Sequence, residues 1–150
     1  MTTFKDHLNF GVSYRTAGFS RAKPWLPVHP GSPAVNVASQ QGDPASLLSC
    51  YRNLLALRRE SPALQAGTLE WIDAPRLSPD VVAYRRAYGK GAVGHRADVF
   101  LNFSGRTIPL PLGEEAGRML FSNRAGEQGP APRDYALGPY EGIVVLERGA

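Results

Sequence analysis

The sequence predicts a mainly β protein: an antiparallel β-sandwich of Greek-key type, with one N-terminal helix and an irregular Pro-rich arm. Three observations carry this. From Gly67 onward, short segments alternate apolar and polar residues and are separated by Gly- and Pro-rich turns, the pattern of an antiparallel sandwich. One stretch, from Asp43 to about Glu60, has helical rather than strand periodicity. Ahead of it, Pro24, Pro27, Pro30 and Pro33 break every helix in that stretch.

The elements follow in order. Residues 1–42 are expected to be an irregular arm. Asp43 is a suitable N-cap, and Pro44 sits at the first helical position, where its missing N–H costs nothing. The helix should end near Glu60, because Ser61-Pro62 disfavours its continuation. Its apolar residues Leu47, Leu48, Cys50, Tyr51, Leu54, Leu55 and Leu57 span an arc of roughly 180°, wider than the ~100° a surface helix needs for one core. Such a helix is expected to touch two neighbours, and Arg58 falls within the same arc.

Strands are expected at 68–72, 81–88, 98–103, 107–112, 118–122 and 140–146. In 81–88, Val82, Tyr84 and Tyr88 share one face, and Val81, Ala83 and Ala87 the other. Pro109 and Pro111 confine their strand to a sheet edge. Residues 123–139 read as a long polar loop. The expected interior includes Val82, Tyr84, Val99, Leu101, Phe121, Ile143 and Val145. The domain boundaries are placed at 1–42 for the arm, 43–64 for the helix region and 65–150 for the β-domain.

Composition narrows the function classes. The chain has 150 residues, 43% hydrophobic and 20% charged, which suits a single globular core. The net charge of +4 comes from 17 basic and 13 acidic residues. The basic residues are spread out, with Arg58-Arg59 and Arg85-Arg86 the only doublets, so no nucleic-acid footprint is expected. No apolar run reaches membrane-spanning length, and the first residues lack a signal-peptide core. Cys50 is alone, which excludes an internal disulfide and points to a reducing, cytoplasmic setting.

Several runs carry a resemblance. Residues 17–28, Ala-Gly-Phe-Ser-Arg-Ala-Lys-Pro-Trp-Leu-Pro-Val, are the most specific. With them go Asn36-Val-Ala-Ser-Gln40, the run from Tyr51 to Leu64, Leu101-Asn-Phe-Ser-Gly105 and Gly138-Pro-Tyr-Glu141. Together they resemble the C-terminal end of the α-glucosidase branch of glycoside hydrolase family 13. Oligo-1,6-glucosidases, trehalose-6-phosphate hydrolases and sucrose isomerases belong to that branch. The resemblance implies that residues 43–64 correspond to the last helical region of a catalytic (β/α)8 barrel. It implies that residues 65–150 correspond to the all-β domain C that follows. A family pattern Arg-Thr-Pro-Met-x-Trp is shortened here, since Arg15-Thr16 runs straight into Ala17-Gly18-Phe19. Residues 1–14 match no family motif, so the chain is expected to be an independent reading frame or a gene remnant.

The chemistry of the family is not visible in these residues. Retaining glycosidases need two carboxylates about 5–5.5 Å apart, set on converging barrel loops. The sequence contains no Asn-His-Asp, and Gly18-Phe19 is followed by Ser20-Arg21-Ala22 without an Asp. No catalytic residue is therefore carried over. The chain alone is expected to be inactive, whereas an intact relative would be a retaining α-glucosidase. Glu114-Glu115 read as a solvated loop. His7, His29 and His95 lack zinc-ligand spacing. Gly89-Lys-Gly-Ala-Val-Gly94 has dinucleotide-fingerprint spacing, but no helix follows it, so a hairpin is expected. Asn102-Phe103-Ser104 is a sequon by pattern and reads as strand. No cofactor or metal is expected.

The residues point instead to support of a barrel or to binding. Trp25 and Trp71 are candidates for stacking on the rings of an α-glucoside, with Tyr84, Tyr88 and Tyr140 as further aromatics. Core packing is the competing role of each. Leu47, Leu48, Tyr51, Leu54 and Leu55 are candidates for an interface, either in a homo-oligomer or against a separate barrel protein.

Overall fold

The computed structural model describes residues 22, 25–32, 34–73, 77–89, 95–113, 116–124 and 129–147. Residues 1–21, Pro24, Pro33, the Glu114-Glu115 pair and residues 90–94, where a hairpin was expected, lie outside them. The chain forms two compact units, one ending at Ser49 and the other starting at Cys50.

Among the described residues there are three helices: α1 (Val37–Gln40), α2 (Leu47–Glu60) and α3 (Pro62–Ala66). The one-turn α1 lies in a stretch expected to be irregular. Asn36 makes it possible, because its side chain accepts from Ser39 N while the Ser39 hydroxyl accepts from Asn36 N. α2 begins later than expected. Asp43 Oδ1 accepts from Ala45 N at 2.9 Å, which closes a local turn instead of a first helical turn. Ser46 then caps the helix, its hydroxyl accepting from Ser49 N at 3.2 Å. Pro62 does end α2, but it also starts α3. Ser61 caps α3 by accepting from Leu64 N, with Pro62 at N1.

The strands are β1 (Thr68–Trp71), β2 (Val81–Tyr88), β3 (His95–Asn102), β4 (Ile108–Pro111), β5 (Ala116–Ser122), β6 (Gly129–Pro130), β7 (Asp134–Leu137) and β8 (Gly142–Glu147). The protein is mainly β, with antiparallel sheets and few helices. Six strands form one sheet in the order β1-β2-β3-β8-β5-β6, and β4 pairs with β7 in a second. Pro109 and Pro111 are tolerated because β4 pairs on one side only. Residues 123–139 are not one loop, since β6 and β7 lie within them. The run Asp-Tyr-Ala-Leu of β7 is too short to read as a strand alone. Its register with β4, Leu137 opposite Ile108 and Tyr135 opposite Leu110, is what defines it.

Both faces of the larger sheet are covered, which changes the expected interior. One face packs against the β4–β7 pair through Ala83, Phe100, Leu110, Met119, Leu137, Ile143 and Val145. The other carries Ala97, Val99, Phe121 and Val144, packed with Ala63 and half-buried Leu57, Leu64, Tyr84 and Leu101. The seven residues expected as one interior therefore divide. Ile143 and Val145 belong to the first layer, and Tyr84, Val99, Leu101 and Phe121 to the second. Val82 is exposed. Adjacent residues such as Val144 and Val145 are both buried, so alternation cannot tell one face from the other.

Gly67 joins α3 to β1 and admits no side chain. A Cβ there would lie 2.4 Å from Ala63 O and 2.8 Å from Ala87 O, both backbone atoms that cannot swing aside. Gly67→Ala is expected to cost about 1–3 kcal/mol through overpacking. The shift in the urea midpoint checks this, and an unchanged midpoint contradicts it.

Candidate functional site

Two of the sequence motifs meet in a buried polar node. Asn102, at the end of β3, is 4% exposed, and Glu141, just before β8, is 2% exposed. The Asn102 amide donates to Arg106 O and Gly138 O, each at 2.7 Å. Its Oδ1 accepts from Ser104 N and the Ser104 hydroxyl, each at 2.8 Å. Glu141 Oε1 accepts from the Ser122 hydroxyl at 2.6 Å and the Tyr135 hydroxyl at 2.8 Å. Its Oε2 accepts from Gly138 N at 2.7 Å. The backbone closes the node, with Asn102 N donating to Glu141 O at 2.9 Å. A buried polar group needs such partners; here Ser104, Arg106 and Gly138 come from the turns that join the strands, whereas Ser122 ends β5 and Tyr135 lies in β7. The Asn-Phe-Ser and Gly-Pro-Tyr-Glu runs are thus a clamp between loops. The Asn102 amide is spent inside it, so the sequon is not an accessible one.

The node holds two aromatic side chains outward. Tyr140 adopts φ 52, a left-handed conformation rare for a bulky residue. It is fixed there by Tyr140 N donating to Ser104 O and by Asn123 donating to Tyr140 O. Tyr140 is 69% exposed and Phe103 67%. Both line a groove of about 740 Å³ within the second unit. Leu54 and Leu55 of α2 form one wall, and Leu101 and Phe121 of the sheet form the other. α2 has no buried residue of its own. The lining is mainly apolar, with Arg58, Arg86 and Glu141 its charged members, and carries no constellation for acid–base or nucleophilic chemistry. Among the described residues no group of His, Cys, Asp and Glu could hold a metal ion.

The candidate residues fall as follows. Tyr51, Leu54 and Leu55 line the groove, and each is exposed. Leu47 is exposed and Leu48 half-buried, both in the first turn of α2. Trp25 is 92% exposed, in the first unit. Trp71 is 70% exposed at the end of edge strand β1, with Tyr84 edge-on at 6.2 Å. His29 accepts from Gly31 N, and His95 opens β3 opposite Tyr88. The groove itself was invisible in the sequence, because its walls come from segments far apart in the chain. Only the wide apolar arc of α2 hinted at it. Among the described residues no helix is long and apolar enough to cross a membrane.

Comparison with known proteins agrees with this architecture. Residues 11–67 match the model of the α-amylase catalytic domain. The chain is 32% identical over 133 residues to an oligo-1,6-glucosidase of Halalkalibacterium halodurans, covering 86% of this chain and 23% of that enzyme. It is 35% identical over 133 residues to an α-glucosidase of Pediococcus pentosaceus, covering 85% and 21% respectively. The trehalulose synthase of Pseudomonas mesoacidophila MX-45 superimposes with a TM-score of 0.74 at 30% identity, over 89% of this chain and 23% of that one. The chain thus spans under a quarter of the length of these relatives. With the motifs and the fold in agreement, the chain belongs to the α-amylase family, glycoside hydrolase family 13, among its oligo-1,6-glucosidase and α-glucosidase relatives.

Proposed function

We propose that this chain is the non-catalytic domain C of a family 13 α-glucosidase relative, carrying the last barrel helix with it. Its role is to buttress a catalytic barrel. The observation that carries this reading is the uncovered apolar wall of α2, where Tyr51, Leu54 and Leu55 stand exposed beside an apolar groove. Exposed patches of this kind mark interaction surfaces. A second fact supports the division of labour. The match to the catalytic-domain model ends at Gly67, and the first strand begins at Thr68. In this reading, residues 43–64 are the barrel's part and residues 65–150 the buttress. A docking role toward a separate barrel chain follows from the same surface. A reducing, cytoplasmic setting fits the single thiol, Cys50.

On this reading the chain alone does not hydrolyse α-glucosides. No release of nitrophenol from p-nitrophenyl α-glucoside is expected at any enzyme concentration. Turnover by the purified chain that disappears on substituting one Asp or Glu would overturn the proposal.

A further inference from the structure

The groove beside α2 has a charge character as well as an apolar one. Three charged residues line it: Arg58, Arg86 and Glu141. Both carboxylate oxygens of Glu141 are already engaged inside the polar node. Arg58 is exposed, and Arg86 is half-buried with its Nε directed at Ala63 O at 3.4 Å. Among the described residues neither arginine forms an ion pair. The groove therefore presents an apolar floor with two unneutralised guanidinium groups.

We propose that this groove receives an amphipathic helix whose apolar stripe is bordered by carboxylates, contributed by the catalytic barrel; this rests on the function proposed above. The walls are side chains of a helix and of a sheet face, so no backbone edge is offered for strand addition, whereas a helix can lay its ridge between them. α2 runs 14 residues, about 21 Å at the rise of an α-helix, so a helix of three to four turns can follow it. Carboxylates on the incoming helix would meet Arg58 and Arg86. Phe103 and Tyr140, exposed at the groove, are the kind of aromatic anchors that dominate interface energies.

A second copy of this chain is a poor occupant. A two-fold contact puts the same patch against itself, and this patch is basic. α2 carries Arg52, Arg58 and Arg59 against Glu60 alone, so self-docking through it places like charges together, which suppresses association.

The test uses two fluorescent four-turn peptides with the same leucine stripe, one bordered by Glu and one by Lys. Anisotropy titration with the full chain should give binding of the Glu peptide about ten-fold tighter than the Lys peptide. Arg58→Glu should abolish most of that preference. Arg86→Gln, a milder change, should reduce it, and Leu54→Ser should weaken both peptides. Circular dichroism confirms that each variant is folded; Arg58 and Leu54 are exposed, so their variants keep the test decisive. Equal affinity for the two peptides, no saturable binding of either, or a concentration-dependent dimer that excludes the peptides would overturn the proposal. Binding needs no turnover, so the two readings fail separately. An inactive chain without peptide preference refutes only the docking chemistry, and an active chain refutes the buttress role whatever the peptides do.

Discussion

Asn102→Ala is expected to destabilise the protein by about 3–5 kcal/mol, a large effect for one side chain. The Asn102 amide satisfies two buried-side carbonyls, of Arg106 and Gly138, and its oxygen satisfies Ser104 N and the Ser104 hydroxyl. Each buried group left unpaired costs roughly 1–3 kcal/mol. Partial access of water near Arg106, which is exposed, keeps the total below the simple sum. Asn102→Asp should be nearly as damaging, although it keeps the oxygen that Ser104 needs. It replaces the donor to two carbonyls with a second acceptor, and like-signed oxygens then face one another. Urea unfolding followed by circular dichroism measures both variants. Losses under about 1 kcal/mol for both would mean that the clamp contributes little to stability.

Ile143→Ala should cost about 2–5 kcal/mol. Ile143 is 0% exposed on β8, the strand placed between β3 and β5, and belongs to the layer between the two sheets. Rigid walls on both sides leave its cavity little room to collapse. Leu101→Ala provides the contrast. Leu101 is half-buried and lines the open groove, so its deletion exposes little new cavity surface, and a cost under about 2 kcal/mol is expected. The difference between the two variants is the informative measurement. Equal costs would mean that the groove face is as tightly closed as the inter-sheet layer. Leu101→Ala should also weaken binding of the acidic peptide, because the leucine forms part of the groove wall.

Much of the fold was legible locally. β2 runs from Val81 to Tyr88, as its alternation and flanking turn residues indicate. The end of α2 at Glu60 follows from Ser61-Pro62, and the edge position of β4 follows from Pro109 and Pro111. These features depend on backbone chemistry within a few residues, which a sequence displays directly. The start of α2 was less legible, because Asp43 and Ser46 are both competent caps. The Asx turn from Asp43 to Ala45 and the engagement of the Ser46 hydroxyl with Asp43 O decided between them.

The family membership and the antiparallel β character were thus determined by the sequence itself, through the runs at 17–28, 36–40, 51–64, 101–105 and 138–141. What those last two runs do was decided only in three dimensions. Asn102 and Glu141 are 39 positions apart in the chain, and Asn102 N donates to Glu141 O; nothing in either motif names the other as its partner. β8, last in sequence, lies between β3 and β5, and that non-local placement gives the sheet two buried faces. Burial on both faces removes the polar alternation that would have assigned Tyr84, Val99 and Leu101 to one layer and Ile143 and Val145 to the other. The groove with its two unneutralised arginines arises for the same reason. Arg58 and Arg86 become neighbours of one apolar surface only after the helix and the sheet are folded, because long-range packing, not local propensity, sets which side chains share a solvent-facing hollow.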